Sequence, residues 1–261
     1  PNFVSYLGAV PRTIPVFEDD GFQYRLDDIR AALTARTRAI LINSPANPTG
    51  TLLSPERMAE IAQVAATAPS RPWIFSDEIY HGLVYQGRAR SILEFTDRCL
   101  VFNGFSKLFA MTGWRLGYVI VPRDLVRPMQ TMLQNFFISA SSIAQAAAYA
   151  ALTDPAVEAD VAAMVREYRE RRLFMLAGLR KLGFGIAAEP TGAFYVFANA
   201  GRFSSDSNRL ARDILEKAKV GVTPGVDFGP HGEGYLRFSY ANSLENIGEG
   251  LRRIREYLAR R

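Results

Sequence analysis

The sequence predicts an α/β protein with a large N-terminal domain on a mostly parallel sheet, a long linking helix, and a smaller α+β domain at the C-terminal end. Three observations carry this expectation. Nearly continuous apolar runs recur at AILINSP (39–45), WIFSDEI (73–79) and CLVFNGF (99–105), as strands buried on both faces of a parallel sheet require. An amphipathic stretch separates the first two and makes a βαβ unit. A long segment, 155–183, then carries a helical apolar stripe, and beyond Gly183 the pattern changes to short strands and short helices.

Each element has its own local reason. Ser54-Pro55-Glu56 supplies an N-cap and a proline at the first helical position, and Met58, Ile61, Ala62 and Ala65 follow on one face. WRLGYVIVP (114–122) reads as a further strand closed by Pro122, and LVRPMQTMLQNFFI and SASSIAQAAAYAALT read as helices. The segment 155–183 opens on Pro155 and ends on Gly183, with Val161, Met164, Val165, Tyr168, Leu173, Leu176 and Leu179 as its stripe. At 1.5 Å per residue it spans roughly 40 Å, enough to bridge two domains. FGIAAEP, GAFYVFANA, VGVTPG and YLRFSYA read as strands, and SNRLARDILEKAK and IGEGLRRIREYLARR as helices. The expected boundaries are therefore 1–154, 155–183 and 184–261.

Composition narrows the class. With 261 residues, 48% of them apolar and 22% charged, the chain can bury one large core or two modest ones. A disordered tail, a collagen repeat and a disulfide scaffold are excluded. No run of eighteen apolar residues occurs, so no membrane-spanning helix is expected. The net charge of +5 is scattered among acids rather than gathered in a stripe, which argues against a nucleic-acid partner. A lone cysteine, Cys99, and two histidines, His81 and His231, cannot build a zinc site by themselves, so no metal is expected. The same cysteine count favours a reducing, cytoplasmic compartment.

Four lysines stand against twenty-seven arginines, so a lysine marks a place where an arginine does not serve. Lys107, in FNGFSKLFAMTGW, has mostly apolar or small neighbours. An ammonium in such surroundings loses pKa and becomes a candidate nucleophilic amine. Asp77 closes the run WIFS at the carboxyl end of a predicted parallel strand, the edge where doubly wound sheets bind ligands. Tyr80 leaves the same edge, and Lys107 follows the next strand. Taken singly, Asp77 also reads as a helix cap and Tyr80 as a half-buried aromatic. Asn47 lies in NSPANPTG, a turn by its own chemistry because proline fixes φ and glycine accepts positive φ.

NSPANPTG, SDEIY, SKLFAMTGWRLGY and YLRFSYA, in this order and spacing, resemble the class I/II aminotransferases of the fold type I pyridoxal-phosphate enzymes, closest to the aspartate-aminotransferase-like branch. The resemblance covers essentially the whole chain and implies a cofactor, pyridoxal 5'-phosphate. It implies that Lys107 forms a Schiff base with the cofactor aldehyde and shuttles the substrate proton, while Asp77 pairs with the ring nitrogen. Tyr80 and Asn47 would hydrogen-bond the ring oxygen, Arg115 would hold the phosphate with help from Ser106, and Arg237 would clamp the substrate carboxylate. An amino acid and a 2-oxo acid would be the substrates, exchanged in ping-pong fashion by a homodimer.

Two departures accompany the resemblance. Gly104 stands where family members usually carry a hydroxyl residue, three positions before the lysine. Family members also have roughly a hundred further residues ahead of the segment that PNFVSYLG resembles, among them a phosphate-cradling loop and a ring-stacking aromatic, so the large domain is expected to be incomplete. TGAFYVF (191–197) and TPGVDFG (223–229) resemble family segments near the active site but read first as core strand and turn. Two other functions stay open: a β-lyase or decarboxylase on the same fold, and the effector domain of a transcription regulator.

Overall fold

A computed structural model describes residues 1–260. Two short helices, α1 (Asn2–Tyr6) and α2 (Leu26–Ala32), lie in a stretch for which the sequence pattern predicts no element. The first sheet runs in the order β1 (Ala39–Asn43), β2 (Trp73–Asp77), β3 (Cys99–Gly104), β4 (Gly117–Ile120). The first three strands are parallel and β4 is antiparallel to β3. Helix α3 (Pro55–Thr67) joins β1 to β2, and the Ser54 hydroxyl caps it by accepting from the Arg57 N–H. Its apolar face, Met58, Ile61, Ala62 and Ala65, packs on Ile42, Ile74, Cys99 and Val101 of the sheet.

Only that face of the sheet is covered. Leu41 is 64% exposed, and Phe102, Tyr118 and Ile120 are also exposed, so the expectation of strands buried on both sides is corrected. The apolar runs do mark the strands, but the described helices clothe one side. The strand read at 114–122 shortens to 117–120, because Trp114 ends a 3-10 turn and Arg115 then takes left-handed backbone, φ 55°.

Helices α4 (Arg123–Phe137) and α5 (Ser142–Thr153) lead to α6 (Pro155–Leu182). Asp154 caps α6 at its start and Gly183, φ 91°, ends it in left-handed backbone. The C-terminal half of α6 buries Met175, Leu176 and Leu179 against a second, antiparallel sheet in the order β5 (Tyr195–Asn199), β7 (Tyr235–Ser239), β6 (Thr223–Pro224). Each such side chain contributes about 1.5–3 kcal/mol by leaving water. Helix α7 (Ser207–Asp213) continues into a π-helical turn over 214–218, and α8 (Leu244–Ala259) closes the core with Ile247 and Ile254.

FGIAAEP does not form a strand. It makes one isolated bridge, Gly185 to Asn199, before the chain swings away at Glu189–Pro190. There the fully buried Arg172 of α6 donates to the Pro190 carbonyl and pairs with Glu189 at 2.9 Å.

Candidate active site

The register of the first sheet sets the site. Asn43 lies opposite Asp77, and Asp77 opposite Phe102, so the carboxyl ends of three parallel strands finish level. Beyond β1 the NSPANPTG segment turns over that edge. Asn43 Nδ2 donates to the Asp77 carbonyl at 2.9 Å, and Asn43 Oδ1 accepts from the Asn47 N–H at 2.8 Å, so one amide ties the turn to the neighbouring strand. Gly50, φ 69°, lets the turn reach the small domain. Its carbonyl accepts from the N–H groups of Thr191 and Gly192, and a Cβ there would stand 2.5 Å from Pro190 Cβ and 2.8 Å from the Tyr195 carbonyl oxygen.

Asp77 Oδ1 accepts from the Ile79 N–H at 3.1 Å. Burial raises its pKa above the ordinary carboxylate value, opposed by that hydrogen bond and reinforced by the neighbouring Glu78. No cation among the described residues makes an ion pair with it. A partly desolvated acid without a cation is what a protonated ring nitrogen would complement. Glu78, next in sequence, faces the other way. It is buried and accepts from Ser76, Ser91 and the Ile92 N–H, anchoring the turn that carries Asp77 and Tyr80.

Lys107 follows β3 in a compact turn in which the Phe105 N–H donates to the Leu116 carbonyl and the Ala110 N–H to the Lys107 carbonyl. Its Nζ lies 5.9 Å from the centroid of the Tyr80 ring and 5.7 Å from that of Phe194. Tyr168 of α6 stacks behind Phe194, 5.7 Å between centroids at 21°. Tyr80 is 3% exposed and its hydroxyl meets the Tyr195 hydroxyl at 3.0 Å. Burial pushes the Tyr80 phenol far above its ordinary pKa, so it is a hydrogen-bond donor and not a phenolate.

Arg237 projects from β7 between two rings, 4.3 Å from the Tyr195 centroid and 4.9 Å from that of Phe228. One terminal nitrogen donates to Asn47 Oδ1 at 2.7 Å and the other to Thr223 Oγ1 at 3.1 Å. Its Nε is buried and has no hydrogen-bond partner among the described residues. A guanidinium whose plane is fixed by two rings and two acceptors, with a further N–H on each terminal nitrogen, can clamp a carboxylate.

Arg237 therefore touches Asn47, Lys107 lies against Tyr80, Tyr195 joins the two pairs, and the Asp77 backbone is tied to Asn47 through Asn43. Ser106 and Arg115 stand apart. The Ser106 carbonyl accepts from Thr112 Oγ1, and the exposed Arg115 guanidinium donates to the Thr112 carbonyl at 3.0 Å. Gly104 has a packing reason: a Cβ there would stand 3.0 Å from Gly117 Cα and from the Leu116 carbonyl. Sequence reasoning missed Asn43, Phe194, Tyr195, Thr223 and Phe228 as site residues. The signal was present, since all five lie in the segments NSPANPTG, TGAFYVF and TPGVDFG.

A mixed, mostly parallel sheet with an amine, an acid, a phenol and a guanidinium at its carboxyl edge defines the class to which comparison with known proteins also points. The family model described as aminotransferase class I and II matches residues 1–254, and the chain belongs to that family. Among its relatives, the (5-formylfuran-3-yl)methyl phosphate transaminase of Methanocaldococcus jannaschii is 42% identical over 98% of this chain, and the valine–pyruvate aminotransferase of Mycobacterium tuberculosis is 38% identical over 98%. The chain spans 65% and 66% of the lengths of those two proteins. The structure of Thermus thermophilus aspartate aminotransferase with maleate superposes with a TM-score of 0.93 at 36% identity, over 98% of this chain and 66% of that one. The fold is that of the fold type I aminotransferases.

Proposed function

We propose that the whole protein is a pyridoxal-phosphate-dependent aminotransferase, moving an amino group between an amino acid and a 2-oxo acid by a ping-pong mechanism in which Lys107 is the covalent attachment point. The observation that carries this reading is the single cluster in which Lys107 Nζ lies against the Tyr80 ring while Tyr80 reaches Arg237 through Tyr195. The residues present fit the cofactor, with a desolvated acid that has no cation and a buried neutral phenol.

When bound, pyridoxal phosphate supplies an electron-withdrawing ring conjugated to the substrate Cα. Asp77 would hold a proton on the ring nitrogen by staying ionised beside it. Tyr80 Oη would donate to the ring oxygen. Asn47 would do so through Nδ2, because its Oδ1 is engaged by Arg237. Ser106 would donate its hydroxyl to the phosphate, and Arg115 would exchange its bond to the Thr112 carbonyl for a phosphate oxygen. Arg237 would grip the substrate carboxylate through the terminal N–H groups that Asn47 and Thr223 leave free, with those two residues fixing its plane. Lys107 Nζ, freed when the substrate amine takes its place, would take up and return the Cα proton. A guanidinium in that position could neither form an imine nor act as a base at neutral pH.

A homodimer and a cytoplasmic location belong to the same proposal and rest on the family resemblance. No helix among the described residues is long and apolar enough to cross a membrane. The test is amino transfer by the cofactor-loaded protein and by Lys107→Ala. The variant is expected to lose at least about a thousandfold in rate, the scale on which removing a covalent catalyst acts. Transfer at the wild-type rate by Lys107→Ala contradicts the assignment.

A further inference from the structure

Tyr195 touches both halves of the proposed site and has no part in the roles assigned above. It is 8% exposed and lies at the start of β5, next to Phe194. Its hydroxyl meets the Tyr80 hydroxyl at 3.0 Å, across 115 residues of sequence, with the two rings edge to face at 5.8 Å. The face of its ring carries the Arg237 guanidinium at 4.3 Å. Its backbone carbonyl lies where a Cβ on Gly50 would collide with it, so the turn bearing Asn47 is seated against it too.

We propose that Tyr195 is a positioning residue of this site, donating its hydroxyl proton to Tyr80 Oη so that the Tyr80 proton is directed outward to the cofactor ring oxygen, while its ring supports the arginine that binds the substrate carboxylate. Two hydroxyls 3.0 Å apart share one proton between them, so one donates and the other keeps its proton for a third partner. When Tyr80 accepts from Tyr195, its own O–H becomes the stronger donor, because hydrogen bonds in a chain polarise one another. The charged groups that face this pair are Asp77, Lys107 and Arg237. Arg237 favours, and Asp77 opposes, negative charge on the Tyr80 oxygen. One side chain therefore ties the phenol that faces the ring oxygen to the cation that faces the substrate.

This inference rests on the aminotransferase reading, and its test separates the two. Pyridoxal phosphate is added to the protein and the pH midpoint of its Lys107-dependent visible band is followed. A donor to the ring oxygen stabilises its anionic form and so lowers the basicity of the adjoining imine nitrogen. Tyr195→Phe keeps the ring under Arg237 and removes only the hydroxyl, so the midpoint is expected to rise by about 0.3 pH unit or more. In a Tyr80→Phe background the same substitution is expected to move it no further. A midpoint that is unchanged or lower in Tyr195→Phe overturns the inference, as does an equal rise with and without the Tyr80 hydroxyl, which would mark a purely structural effect. If Tyr195→Phe does not fold, Tyr195→Leu, which likewise removes the hydroxyl donor, is measured in its place against the same two outcomes. Absence of any Lys107-dependent band overturns the parent reading and this inference with it.

Discussion

Asp77 shows how one residue's environment reports its task. Burial raises the folded-state pKa of its carboxyl above the ordinary 3.8. Below 3.8 the folded and unfolded chains both hold the proton and Asp77 contributes nothing to the difference. As pH rises past 3.8 the unfolded chain ionises first, so folding stability falls until the folded-state pKa is passed, and the loss then stays constant. Asparagine carries no charge to desolvate. In the cofactor-free protein, Asp77→Asn is therefore expected to gain thermal stability relative to wild type as pH rises through this window and then to hold a constant lead. Melting temperatures across the pH range check this, and a lead that shrinks with rising pH contradicts it. Asp77, Tyr80, Lys107 and Asn47 were legible because each sits in a short motif at or just beyond a strand end, and Arg237 because it sits in the strand motif YLRFSYA. Tyr195 lies in TGAFYVF, a segment the sequence does mark, but its particular contact, a hydroxyl 115 residues away, is one that no local pattern encodes.

At the scale of elements, strands and caps follow their local chemistry. Ser54-Pro55 starts α3, Asp154-Pro155 starts α6 and Gly183 ends it, as the sequence pattern requires. The pattern fails where tertiary contacts decide. FGIAAEP has strand composition, but Arg172 pulls the chain away at Pro190 and leaves one bridge. Trp114 and Arg115 have the pattern of a strand, yet they form a 3-10 turn and a left-handed residue instead. The contact between the Asn47 turn and segment 190–195 is the least visible of all, since it depends on one missing Cβ. Gly50→Ala would place that atom 2.5 Å from Pro190 at φ 69°, so it is expected to destabilise the fold by about 2–4 kcal/mol. Chemical denaturation measures that loss. A neutral substitution would mean that the turn is not seated on the small domain as described.

At the scale of the molecule, α6 unites the two cores. Met164, Val165 and Tyr168 pack towards Tyr80 and Leu83, while Met175, Leu176 and Leu179 fill the C-terminal core. The site lies where the first sheet's carboxyl edge meets β5 and β7, so each half supplies part of it: Asn47, Asp77, Tyr80 and Lys107 from one, Tyr195, Thr223 and Arg237 from the other. Alternating α/β patterning made both layers legible from sequence. It could not show which sheet face the described helices cover, because an apolar strand reads the same whichever side its cover occupies. On the proposed reading, Lys107 alone among the four lysines is placed to bond the cofactor. Borohydride reduction of the protein mixed with pyridoxal phosphate, followed by peptide mass spectrometry, tests it directly. The account predicts the reduced pyridoxyl mass on the peptide bearing Lys107 at equimolar cofactor, and its presence on Lys181, Lys217 or Lys219 instead would contradict it.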